Sequence, residues 1–96
     1  MIDLTSGWVQ HPNVTGGWHL EYVDPVAGFN ISIVTGPKGS GLMGTIAPGG
    51  PTTYEAWLPG LDNPTGHYIN HLTLDEIRGI ILYLREKYRD DYMYTD

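Results

Sequence analysis

The 96-residue chain has no cysteine, a single phenylalanine and only five lysines and arginines. The missing cysteine excludes disulfide staples, thiol catalysis and cysteine-bound zinc together. Five cations against 11 acidic residues leave a net charge of -6. That balance opposes general binding to nucleic acid, whose phosphates would be repelled. The apolar runs are far too short to cross a bilayer. A soluble, cytoplasmic protein is therefore expected, with no membrane and no direct nucleic-acid partner. No metal and no cofactor are expected. His67 and His71 have the i,i+4 spacing of two zinc ligands on a helix, but Pro64 and Gly66 stand just before them and argue against helical geometry. Catalytic signatures are also lacking: no serine sits in a nucleophile elbow, and no carboxylate pair has a diagnostic spacing. A non-enzyme is the expectation.

What is present suits one small domain spanning residues 1–96. Three tryptophans and seven tyrosines supply large apolar areas, and 13 glycines with seven prolines imply many turns. Residues 1–16 contain Gly7, Pro12 and Gly16 and sustain no period. They read as an irregular arm pinned by Trp8, with room for one short edge strand. From Trp18 the pattern alternates. Residues 17–58 predict four strands, Trp18 to Val23, Phe29 to Val34, Leu42 to Ala47 and Thr53 to Leu58, with Pro- and Gly-rich turns between them. Residues 59–72 read as a loop with a turn at Asn63-Pro64-Thr65-Gly66. Thr73 followed by Glu76 is a capping box, and Ile77, Ile80, Ile81, Leu84 and Tyr88 recur at helical spacing. A helix over 73–92 and a tail at 93–96 follow. The predicted fold is α+β: a four-stranded antiparallel β-meander packed on one C-terminal α-helix, with an irregular N-terminal arm.

Two surfaces stand out. Trp18, Leu20, Tyr22, Phe29, Ile31, Ile33, Leu42, Ile46, Tyr54, Ala56 and Leu58 share the face assigned to the helix. The opposite face then shows His19, Glu21, Val23, Val34, Met43, Thr45, Glu55 and Trp57. Trp57 and Met43 at its centre, with Glu21, Glu55 and Asp24, form the expected contact with a protein partner that carries a basic surface. The N-terminal arm or a second copy of the chain are the other occupants of this face.

The second surface is cationic. Residues 1–77 hold one cation, Lys38, whereas Arg78, Arg85 and Arg89 lie with Leu82 on a single helical stripe. Arginines so placed could hold a nucleotide or another phosphorylated ligand, with Lys38 as a further phosphate contact and oligomerisation completing the pocket. Against this, Asp75 and Glu86 stand three residues before Arg78 and Arg89, and ion pairs there would occupy both. Arg85 has no such helical partner. The run Gly36-Pro37-Lys38-Gly39-Ser40-Gly41 lacks the spacing and the strand-to-helix context of a phosphate loop.

In general character, small, acidic, cysteine-free and built of one sheet and one helix, the chain resembles the compact phage inhibitors of host defence, anti-CRISPR proteins among them. The resemblance implies a protein that occludes a basic surface on a host-defence or nucleic-acid-binding protein.

Overall fold

The computed structural model describes residues 2–46, 52–58 and 67–94, with side chains of the C-terminal helix described as far as Tyr88. Five strands and one helix follow in order: β1 (Val9–Gln10), β2 (Trp18–Val23), β3 (Asn30–Thr35), β4 (Tyr54–Leu58), β5 (His67–Leu72) and α1 (Leu74–Tyr94). The strands form one open antiparallel sheet in sequence order. The α+β class and the antiparallel sheet agree with the sequence reading; the strand count and two strand assignments do not.

The first correction concerns residues 42–46, expected within a strand. β3 pairs directly with β4, so no strand lies between them. Residues 43–46 instead form a strap. Ile46 N–H donates to the Gly36 carbonyl, Thr53 N–H to the Thr45 carbonyl, and His71 N–H to the Met43 carbonyl, each at 2.9 Å. The strap presses so closely on β4 that a Cβ on Gly44 would lie 2.5 Å from Tyr54 Cα. Only glycine permits that approach, and glycine weakens a strand. Ala47, the turn at 48–51 and residues 59–66, including Asn63-Pro64-Thr65-Gly66, lie outside the described residues.

The second correction is β5, where a loop was expected. Its apolar residues Ile69 and Leu72 face Ala56 and Tyr54 of β4, yet they are three apart. A bulge between them accounts for the spacing, with His71 at φ 58°. The extra residue breaks the period of two by which strands are read.

The helix start follows the capping box. Glu76 N–H donates to Thr73 Oγ1 at 3.1 Å, and Thr73 N–H donates to Glu76 Oε1 at 2.9 Å. Two otherwise unpaired amides are satisfied reciprocally. Ile77, Ile81 and Leu84 are buried against Leu20, Tyr22, Phe29, Ile31, Ile33, Ala56, Leu58 and Leu72, with Ile80 and Tyr88 at the margin. Phe29 and Tyr88 stack with ring centroids 5.2 Å apart. The helix runs past the expected end at residue 92 to Tyr94.

The arm joins this same layer. Leu4 is fully buried in the core. Trp8 packs on Tyr54 at 5.5 Å between ring centroids and donates its indole N–H to the Leu4 carbonyl at 2.8 Å. Trp18, expected in the core, points to the helix side of the sheet but remains 41% exposed, because its end of the sheet extends beyond the cluster under α1. It borders an apolar recess with Trp8, Ile46 and Tyr54.

Candidate functional site: the outer face of the sheet

Strand register assembles the face opposite α1. One row across the sheet is Val9, His19, Val34 and Glu55; the next is Glu21, Ser32, Trp57 and Tyr68; Val23 and Asn30 form a third. The arm crosses the other side, so its first residues do not cover these rows. Val9, Val23 and Tyr68 are each more than half exposed, while His19, Ser32, Val34, Glu55 and Trp57 in the middle strands are half-buried among their neighbours.

Polar groups on this face pair with one another, along β2 and between β2 and β3. His19 Nε2 lies 3.0 Å from Ser32 Oγ and 3.5 Å from Glu21 Oε2, and Asn30 Nδ2 donates to Glu21 Oε1 at 3.4 Å. A serine, a histidine and a carboxylate invite comparison with a nucleophilic relay. In such a relay the carboxylate orients the histidine through the ring nitrogen opposite the serine. Here serine and carboxylate both approach Nε2, the geometry of a cross-strand hydrogen-bonded patch.

The residues expected to contact a partner divide. Glu21, Glu55 and Trp57 share the face, Trp57 standing between Ser32 and Tyr68. Met43 is 48% exposed on the strap, outside the strand rows. Asp24 does not belong to this surface, which corrects the sequence expectation: it is 1% exposed. Its carboxylate is held by the Tyr22 hydroxyl at 2.7 Å, the Ala27 N–H at 2.9 Å and Arg85, whose Nη2 approaches Oδ1 to 2.7 Å. Arg85 Nε donates to both oxygens, at 2.9 and 3.1 Å. Burial pushes the Asp24 pKa up, but the hydrogen bonds from Arg85, Tyr22 and Ala27 outweigh it and hold the carboxyl below its ordinary range. The same cluster raises the Tyr22 phenol, first by burial and then by the neighbouring carboxylate.

This cluster also gives one arginine of the stripe its partner. Arg85, the one arginine without a helical acidic partner, is bound to a residue 61 positions away. Arg78 pairs with Asp75 at 2.9 Å, as its spacing predicts. Arg78, Leu82 and Arg85 do line one open groove of ≈ 580 Å³ with Ile2, Asp3 and Thr5. Both guanidiniums there are already paired, and Asp3 adds a carboxylate. Hydrogen bonds from Ser6 and Thr5 hold the Asp3 pKa down at about 2, so it stays charged beside the arginines. The Arg89 side chain and its pairing with Glu86 lie outside the described residues. Lys38 is exposed in the turn that precedes the strap. Among the described residues no group of three or more histidines and carboxylates could hold a metal ion.

Val9 and Tyr68 belong to the outer face and were not singled out from the sequence. Alternation with Trp8 is the signal that could have placed Val9; the bulge hides the signal for Tyr68. No protein-family model matches the chain, and no curated protein or solved structure is significantly similar to it.

Proposed function

We propose that the chain is a non-catalytic interaction protein that docks a protein partner with a basic surface onto the outer face of its sheet. The observation that carries this reading is the sorting of charge. The outer rows hold Glu21 and Glu55 and no lysine or arginine, whereas all five cations belong to α1 or to the turn at Lys38. Glu21 and Glu55 on the middle strands, in the same rows as Val9, Trp57 and Tyr68, combine steering with apolar contact area, the two parts of a specific interface. A partner groove that normally holds nucleic acid has the matching charge. The finer role we assign is therefore occlusion of such a groove, as in a phage-type inhibitor of a host-defence or nucleic-acid-binding protein.

Affinity capture from a cell lysate, followed by titration of the retained partner, tests this. Trp57→Ala should weaken binding by about 30-fold, the loss of a typical central aromatic anchor. Glu21→Gln with Glu55→Gln should slow association and flatten its salt dependence. Unchanged affinity and salt dependence in all these variants would overturn the assignment of this face.

A further inference from the structure

The two carboxylates of the outer face are not equivalent. Glu21 is engaged by His19 and Asn30. Glu55 is half-buried, and among the described residues no hydrogen bond or ion pair holds its carboxylate. Its surroundings explain this. In β3 it faces Val34, which offers no polar group. In β5 the register passes from Ile69 to Leu72, so Glu55 stands opposite the bulged residues 70 and 71 rather than a registered partner. The chain's five cations belong to α1, on the other side of the sheet, or to the turn at Lys38. A carboxylate partly removed from water without a partner carries an unmet desolvation cost. Beside it lies an aromatic floor. Trp57 follows two residues along β4, on the same face and about 7 Å away between Cα atoms. Tyr68 stands directly opposite Trp57 in β5.

We propose that Glu55, Trp57 and Tyr68 form a subsite for an arginine side chain of the protein partner, its guanidinium stacked on the Trp57 indole and donating to the Glu55 carboxylate. The subsite rests on the docking reading above and names the partner chemistry at its centre. The combination of groups selects arginine. A planar, weakly hydrated cation can stack on an aromatic face and present parallel N–H donors to a carboxylate at its edge. Lysine is a compact, strongly hydrated point charge and meets only the charge requirement. Glu21 is already engaged, so it contributes long-range attraction rather than a contact in the subsite.

NMR titration of the isotope-labelled full chain with Nα-acetyl-arginine methylamide, and separately with Nα-acetyl-lysine methylamide at equal ionic strength, tests it. The expected result is a saturable shift of the Trp57 indole N–H and the Glu55 carboxyl, with the lysine probe binding more weakly by about threefold or more. Glu55→Gln should weaken arginine binding by about fivefold, the loss of a partly shielded ion pair, whereas Glu21→Gln should change it by less than about twofold. Both variants keep the side-chain shape, and cooperative melting of each shows that it folds. No shift at Trp57 and Glu55, equal binding of the two probes, or equal effects of the two glutamine variants would overturn the subsite. The partner retained from lysate separates this failure from that of the docking reading. Partner affinity lost in Trp57→Ala but kept in Glu55→Gln removes the arginine subsite and leaves the docking face. Affinity unchanged in Trp57→Ala and in both glutamine variants overturns the docking reading itself, and the subsite with it.

Discussion

On the helix side of the sheet Ile31 and Ile33 have no exposure, whereas Asn30, Ser32 and Val34, each one position along the same strand, reach solvent. The strands cannot cause this difference, because a period of two presents both faces equally. It comes from what the rest of the chain does. The helix and the N-terminal arm both choose the same side, Ile77, Ile81 and Leu4 sharing one core. The buried Asp24 carboxylate of that side is satisfied by Tyr22, Ala27 and Arg85, while on the outer side His19, Ser32, Glu21 and Asn30 are tied to one another. One face is spent on folding, and the other keeps its side chains available. A chain this small has material for one core only.

The contrast can be broken most severely from the inner side. Ile31→Ala removes a fully buried side chain from the centre of the core and should lower unfolding free energy by about 2–5 kcal/mol, read from denaturant titration. The next effect is at the cluster that fastens the β2–β3 turn to α1. Arg85→Ala leaves the buried Asp24 carboxylate without its cation. The loss should be about 2–4 kcal/mol, below the full cost of breaking a buried pair because the Arg85 side chain is 20% exposed.

The acid dependence of that variant sharpens the comparison. A carboxyl whose folded pKa lies below its unfolded value contributes stability above the unfolded pKa and loses it as pH falls through the folded one. Asp24 is such a group, so the wild-type protein should lose stability below about pH 4, where unfolded aspartates take up protons. Arg85→Ala should lose less on the same titration, because the main hydrogen-bonding cause of the depression is gone. Asp3, also depressed, keeps part of the slope in both proteins.

Where local pattern decides structure, the sequence was legible. β2, β3 and β4 alternate plainly, and the capping box at Thr73 and Glu76 fixes the helix start by contacts three residues apart. The failures share a physical cause, contact between distant segments. Residues 42–46 alternate acceptably, but a backbone crossing at Gly44 turns them into a strap. β5 fails to alternate because the bulge absorbs one residue. Asp24 has the composition of an exposed turn residue, and only its meeting with Arg85 buries it. For the outer face, Glu21, Glu55 and Trp57 followed from strand alternation, whereas Val9 and Tyr68 required the pairing of edge strands.

The central claim is that the outer face stands open while the arm and the helix close the other. Solvent paramagnetic relaxation, with a soluble gadolinium chelate and side-chain NMR signals, tests it most directly. The account predicts strong broadening at the Val9 and Val23 methyls and the Tyr68 ring, and none at Leu4, Ile31, Ile33 or Ile77. Protection of Val9, Val23 and Tyr68 to the level of Ile31 in the monomer would mean that this face is covered by the chain itself, and would contradict the account.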